Sequence, residues 1–145
     1  MALTFANADA AERFIAFTPE NDYWKADIRN MRILVDKNED KAIFHALENL
    51  KNDISMVCGE RKEDLDGGGT AGEIIVGTLD SPLLSRFLKE GIIRREELKG
   101  KWEKYVIVPI SPKGNCGATI IIVGSDRRGC VYGIYELSRQ LGVSP

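Results

Sequence analysis

Histidine is almost missing from this 145-residue chain: His45 stands alone. A multi-histidine metal site is therefore excluded, and a histidine-based acyl-transfer triad has one candidate base and no GxSxG nucleophile motif to serve. Cysteine is scarce too. Cys58, Cys116 and Cys130 are an odd number without CxxC spacing, which reads as reduced thiols packed as small hydrophobes rather than as a disulfide or metal framework. No apolar run approaches the ~20 residues that a membrane-spanning helix needs. Net charge is only −2, with acids and bases interspersed, so the basic stripe that marks nucleic-acid binding is missing.

Phosphate-cradling motifs are missing as well. Gly124-Ser-Asp-Arg-Arg-Gly129 departs from GxGxxG at Asp126, and Cys130-Val131 replace the Lys and Ser/Thr of a P-loop. The triple glycine Gly67–Gly69 neither follows a strand nor opens a helix. No cofactor and no metal are expected.

What is there suits one domain. A chain of this length buries about two thirds of its unfolded surface, and 43% apolar with 29% charged residues is ordinary for a folded globular chain. Residues 1–12, with small residues at Ala6, Ala8 and Ala10, read as a disordered start or the remnant of a processing site, and 13–145 as the domain. Arg13–Thr18 and Met31–Val35 read as strands. Asn38 or Asp36 then caps a helix whose stripe is Ile43, Leu47, Leu50, Ile54 and Val57, with His45 on its polar side. Glu60–Thr70 is a charged, glycine-rich loop. Glu73–Gly77 is a third strand, Ser81-Pro82 opens a helix reaching Gly91, and Arg94–Leu98 is a helical turn. Tyr105–Val108 and Ile120–Val123 are the last strands, joined through the turn Pro112–Asn115 as an antiparallel hairpin. The order β-β-α-β-α-β-β-α describes an α+β sandwich, a mixed sheet of about five strands with helices packed on it; the second and third strands pair in parallel across their helical crossover.

The last helix, about Arg127 to Leu141, is capped by Ser125 or Asp126 and stopped by Gly142. Its spacing puts Val131, Ile134, Tyr135, Ser138 and Leu141 toward the sheet. Gly129 and Gly133 fall a turn apart on the opposite side, beside Glu136 and Gln140. Each glycine inside a helix costs about 1 kcal/mol against alanine. Fraying near the N-terminus is the ordinary explanation. The sharper one is a second backbone packed closely on that side, which makes Gly129, Gly133, Glu136 and Gln140 a docking face. On that reading Gly133→Leu leaves the fold intact and weakens docking.

Candidate chemistry is sparse. Asp36 and Asp126 follow strands, where functional residues of α/β domains gather, but capping explains each more simply. Arg127 and Arg128, at a helix N-terminus beside Asp126, suit an anion such as a sugar carboxylate, or else are solvated or paired with acids on a partner. Tyr23, Trp24 and Trp102 are the aromatics available for a sugar platform, with core packing the simpler role for Trp102.

These residues also carry a resemblance. Ile122–Pro145 (IVGSDRRGCVYGIYELSRQLGVSP) resembles the N-terminal domain of glycoside hydrolase family 115, the xylan α-1,2-glucuronidases. Ile33–Ala42, Glu73–Thr78 and Gly100–Val106 (GKWEKYV) support it in the same order, so it covers about residues 31 to 145. Cys130 departs from the family's usual threonine. The resemblance implies an accessory domain like that of hexosaminidases and glucuronidases, docked on a catalytic TIM barrel that begins just after the Gly-Val-Ser-Pro motif. It further implies a fragment without catalytic residues of its own, partnered by the barrel of the same polypeptide. Asp126, Arg127 and Arg128 would then lie near xylan or its glucuronic acid side chains, in a periplasmic or secreted enzyme. A free-standing carbohydrate-binding or protein-interaction module is the alternative.

Overall fold

The short apolar runs become strands whose alternate side chains enter two separate cores. In the computed structural model, which describes residues 3–5, 15–16, 24–59, 72–114 and 116–143, they form two sheets. β1 (Leu3–Phe5) lies between β2 (Ile15–Ala16) and β3 (Trp24–Ala26) in a small antiparallel sheet. The main sheet has the order β4-β5-β7-β6, from β4 (Arg32–Val35), β5 (Gly72–Thr78), β6 (Tyr105–Ile110) and β7 (Ala118–Gly124). β4, β5 and β7 run parallel, and β6 closes one edge antiparallel to β7.

Both pairings expected from the connections hold. The helical crossover α1 (Lys41–Cys58) joins the parallel pair β4 and β5, and the short turn joins the antiparallel pair β6 and β7. Pro109 is tolerated because β6 is an edge strand, where a missing N–H costs little. The expected first strand does not join this sheet. Its described part, Ile15–Ala16, pairs with β1 instead, so the main sheet has four strands rather than five. Leu3–Phe5 is likewise a strand where a loose start was expected. The rest of 1–12, the loop Glu60–Thr70 and Asn115 lie outside the described residues.

Period-two alternation sorts the sheet into its two faces. Ile74, Val76, Ile120 and Ile122 pack under α1 and α4 (Arg127–Gln140) with Ile43, Leu47, Leu50, Ile134 and Leu137. Ile75, Ile121 and Val123 face the other way. There they meet Leu84, the short helices α2 (Ser85–Lys89) and α3 (Arg95–Leu98) through Phe87 and Leu98, and Ile93 of the connection between them. The result is the α+β class the sequence implied, an open mixed sheet with helices on it. Pro82 starts a 3-10 turn, Pro82–Leu84, ahead of α2.

The cap of α1 is Asp40, whose carboxylate accepts from Ala42 N at 2.8 Å. Neither Asp36 nor Asn38 takes that role; Asp36 accepts from Asn38 N in the preceding turn, at 2.8 Å. Cys58 and Cys130 are buried as small hydrophobes, and desolvation pushes the Cys130 thiol up to about 12. Cys116 is exposed. His45 is exposed on α1, as its place in the stripe required.

Candidate functional site

The carboxyl ends of β4, β5 and β7 share one edge of the sheet with the start of β6, because β6 runs the opposite way. The loop after β7 therefore meets the segment Glu103–Lys104, just ahead of β6. Such an edge is where open α/β sheets gather functional groups.

Asp126 organises this edge. It is the N-cap of α4, and its Oδ1 accepts from Gly129 N at 2.7 Å while Oδ2 accepts from Glu103 N at 3.0 Å. Those backbone donors, Gly129 first, hold its carboxyl below the usual carboxylate range. Ser125 stitches the same junction: its N–H donates to the Lys104 carbonyl at 2.8 Å, and its Oγ accepts from Lys104 N at 3.0 Å. Between those ties Glu103 sits at φ +53°, a left-handed conformation uncommon for a residue with a side chain. The turn so held presents Trp102 to solvent, 86% exposed.

The three residues read as an anion site do come together, but each is engaged within the chain. Asp126 is the cap. Arg127 pairs with Asp40 at 3.3 Å, joining the starts of α4 and α1. Arg128 pairs with Glu103 at 2.8 Å and donates to the Tyr132 hydroxyl at 3.1 Å. The Asp126 carboxylate already occupies the Gly129 N–H and places negative charge at the helix start. An incoming sugar carboxylate would compete there with Asp126, Asp40 and Glu103 for the same donors and cationic groups. Nearby, Glu39 accepts from Thr78 through N, at 2.9 Å, and Oγ1, at 3.2 Å, tying the end of β5 to the approach to α1.

The glycine face of α4 is corrected by the same geometry. A Cβ on Gly129 would fall on the carbonyl oxygen of Lys104, and one on Gly133 would lie 2.7 Å from Ile122 Cγ2 and 3.3 Å from Tyr105. The second backbone that the glycines called for is the chain's own approach to β6. Gln140 is buried, and the half-buried Glu136 pairs with Arg139 at 2.6 Å and accepts from Gln140 Nε2 at 3.0 Å. Tyr135, expected to face the sheet, is instead 41% exposed. Its hydroxyl accepts from Asn49 of α1 at 2.8 Å. Trp102, for which core packing was the simpler expectation, is exposed; Tyr23 and the Trp24 side chain lie outside the described residues.

The side chains that sequence reasoning missed line the groove between α1 and α4: Asn49, Asn52, Asp53, Tyr132, Tyr135 and Arg139. The available signal was the pair of tyrosines three apart on one helix face.

Comparison with known proteins adds one finding. No family model matches the chain, and no curated protein matches it. Solved structures do. One is a family GH115 4-O-methyl-α-glucuronidase, BtGH115A, with specificity for decorated arabinogalactans. It is 28% identical over 79% of this chain, with a TM-score of 0.57. This chain is similar to part of a glycoside hydrolase. It spans 14% of that enzyme's chain.

Proposed function

We propose that this chain is the non-catalytic accessory domain of an α-glucuronidase of the family 115 type, and that it works by docking on a catalytic barrel. One observation carries the reading: the likeness to BtGH115A extends over 79% of this chain yet takes in only 14% of the enzyme. A share this small supports reading the chain as one domain of a larger enzyme. The substrate in this reading is a plant polysaccharide bearing glucuronic acid. The arabinogalactan specificity of BtGH115A makes xylan only one of the backbones to consider. A polymer is too large to enter a cell, which favours an exported enzyme.

The docking face in this proposal is not the glycine side of α4, which the chain's own strands cover. It centres on Trp102, next to Glu103 and Arg128. Tryptophan, tyrosine and arginine are the residues that dominate protein interfaces. A left-handed turn held by Asp126 and Ser125 is a costly way to present an indole to water, and burial against a partner would offset that cost.

Co-expression tests this. The catalytic barrel of a family 115 enzyme, deprived of its own N-terminal domain, is produced with and without this chain. The expected result is a higher soluble yield and restored release of 4-O-methylglucuronic acid when the chain is present, and no release from the chain alone. Release by the chain alone would overturn the non-catalytic reading. No gain in yield or activity would overturn the docking.

A further inference from the structure

The groove between α1 and α4 holds about 440 Å³, inside the roughly 300–1,000 Å³ range of small-molecule sites. Tyr132 and Tyr135 line it from α4, each 41% exposed. Asn52 and Asp53 line it from α1, and among the described residues neither side chain has a partner within the chain. Ser138 also borders the groove. It is 3% exposed, and its hydroxyl has no hydrogen-bond partner among the described residues. A buried hydroxyl left unpaired is costly, and native structures seldom keep one without a reason.

We propose that this groove is a subsite for a neutral glycosyl unit of a polysaccharide. A pyranose offers an apolar C–H face and a rim of hydroxyls. The tyrosine rings supply surface for the first. Asn52 both donates and accepts, Asp53 accepts and Ser138 does either, which suits the second. Charge selects the kind of sugar. Glu136 and Arg139 neutralise each other, so Asp53 leaves the groove with a negative excess that disfavours glucuronate. The occupant is therefore a backbone sugar rather than the acidic side group. A protein partner fits less well, because a recessed groove with unpaired amide, carboxylate and hydroxyl groups suits a small hydroxylated unit better than a broad interface patch. The choice of a polysaccharide rests on the glycoside hydrolase reading above.

The test is NMR titration of the chain with two neutral probes, xylotetraose and β-1,3-galactotriose, and with glucuronic acid. At least one neutral probe should shift the amides of Asn49–Asp53 and Tyr132–Arg139, with a Kd of about 1 mM or tighter. Xylotetraose binding would indicate a xylan backbone and galactotriose binding a galactan one. Glucuronic acid should bind more weakly than the neutral probe that binds. Tyr135→Ala should weaken binding about tenfold, whereas Tyr135→Phe, which keeps the ring, should retain most of it. Ser138→Ala should also lose affinity while the thermal midpoint stays level or rises. Failure of both neutral probes to shift the groove, or an unchanged affinity in Tyr135→Ala, would overturn the subsite. If the chain still rescues the barrel in that case, the subsite falls and the accessory-domain reading stands.

Discussion

Gly129 and Gly133 are held by what lies against them, and the two contacts are not equal. At Gly129 the obstacle is the backbone carbonyl of Lys104, which is fixed by Ser125 and cannot step aside. At Gly133 it is chiefly the Cγ2 methyl of Ile122, a side-chain atom but one bond from the Cβ of a fully buried residue in the central strand, so it yields only in part. Replacing either glycine by alanine gains about 1 kcal/mol of helix propensity. Overpacking costs roughly 1–3 kcal/mol. Gly129→Ala is therefore expected to destabilise the domain by about 2 kcal/mol and Gly133→Ala by about 1 kcal/mol in urea unfolding. Gly133→Leu, which a free face would tolerate, should cost more than about 3 kcal/mol. Asp126 supports a second expectation. Its carboxyl titrates below the usual carboxylate value because Gly129 and Glu103 donate to it. Its contribution is thus complete above about pH 4 and lost as pH falls through the depressed value. Asp126→Ala should cost about 1–2 kcal/mol near neutral pH, and the gap to the parent chain should shrink below about pH 4. A gap that persists unchanged to pH 2 would show that the charge plays no part.

Among the elements, β7 is the centre of the molecule. It pairs with β5 on one side and β6 on the other, and Ile120, Ile121, Ile122 and Val123 are all fully buried. Its unbroken run of β-branched apolar residues signalled this in the sequence, since a strand covered on both faces reads that way. Hydrogen exchange should find the β7 amides opening only with global unfolding, while β4, a four-residue edge strand, opens locally first. Earlier exchange in β7 than in β4 would contradict this order. The orientation of α4 was less legible. Apolar spacing counts a glycine as blank, so it centred the buried side on Val131 and Tyr135. The helix actually lies where β6, β7 and α1 meet, and its buried arc widens to take in Gly129, Gly133 and Gln140. That placement depends on Lys104 being drawn to Ser125, a pairing 21 residues apart that no local pattern reveals. The same limit explains Trp102. An apolar residue on the surface looks like a core residue until the turn that carries it is seen.

At the scale of the whole molecule, the fold class was legible from run lengths and connection types, because a short turn forces an antiparallel pair and a helical crossover a parallel one. The small sheet was not: strands of two and three residues carry too little pattern to announce pairing with each other. The charged residues at the head of α4 were legible as a group, but not their pairing within the chain. Asp126, Arg127 and Arg128 are spent on the cap, on Asp40 and on Glu103. The molecule's unsatisfied surface lies elsewhere, at Trp102 and in the groove lined by Tyr132 and Tyr135. Whether Trp102 seats against a catalytic barrel therefore decides the proposed role. Isothermal titration of this chain into a family 115 barrel lacking its N-terminal domain measures that directly. A one-to-one complex is expected, weakened about 30-fold by Trp102→Ala, the effect of losing an interface anchor worth about 2 kcal/mol. No complex at all, or one that Trp102→Ala leaves unchanged, would contradict it.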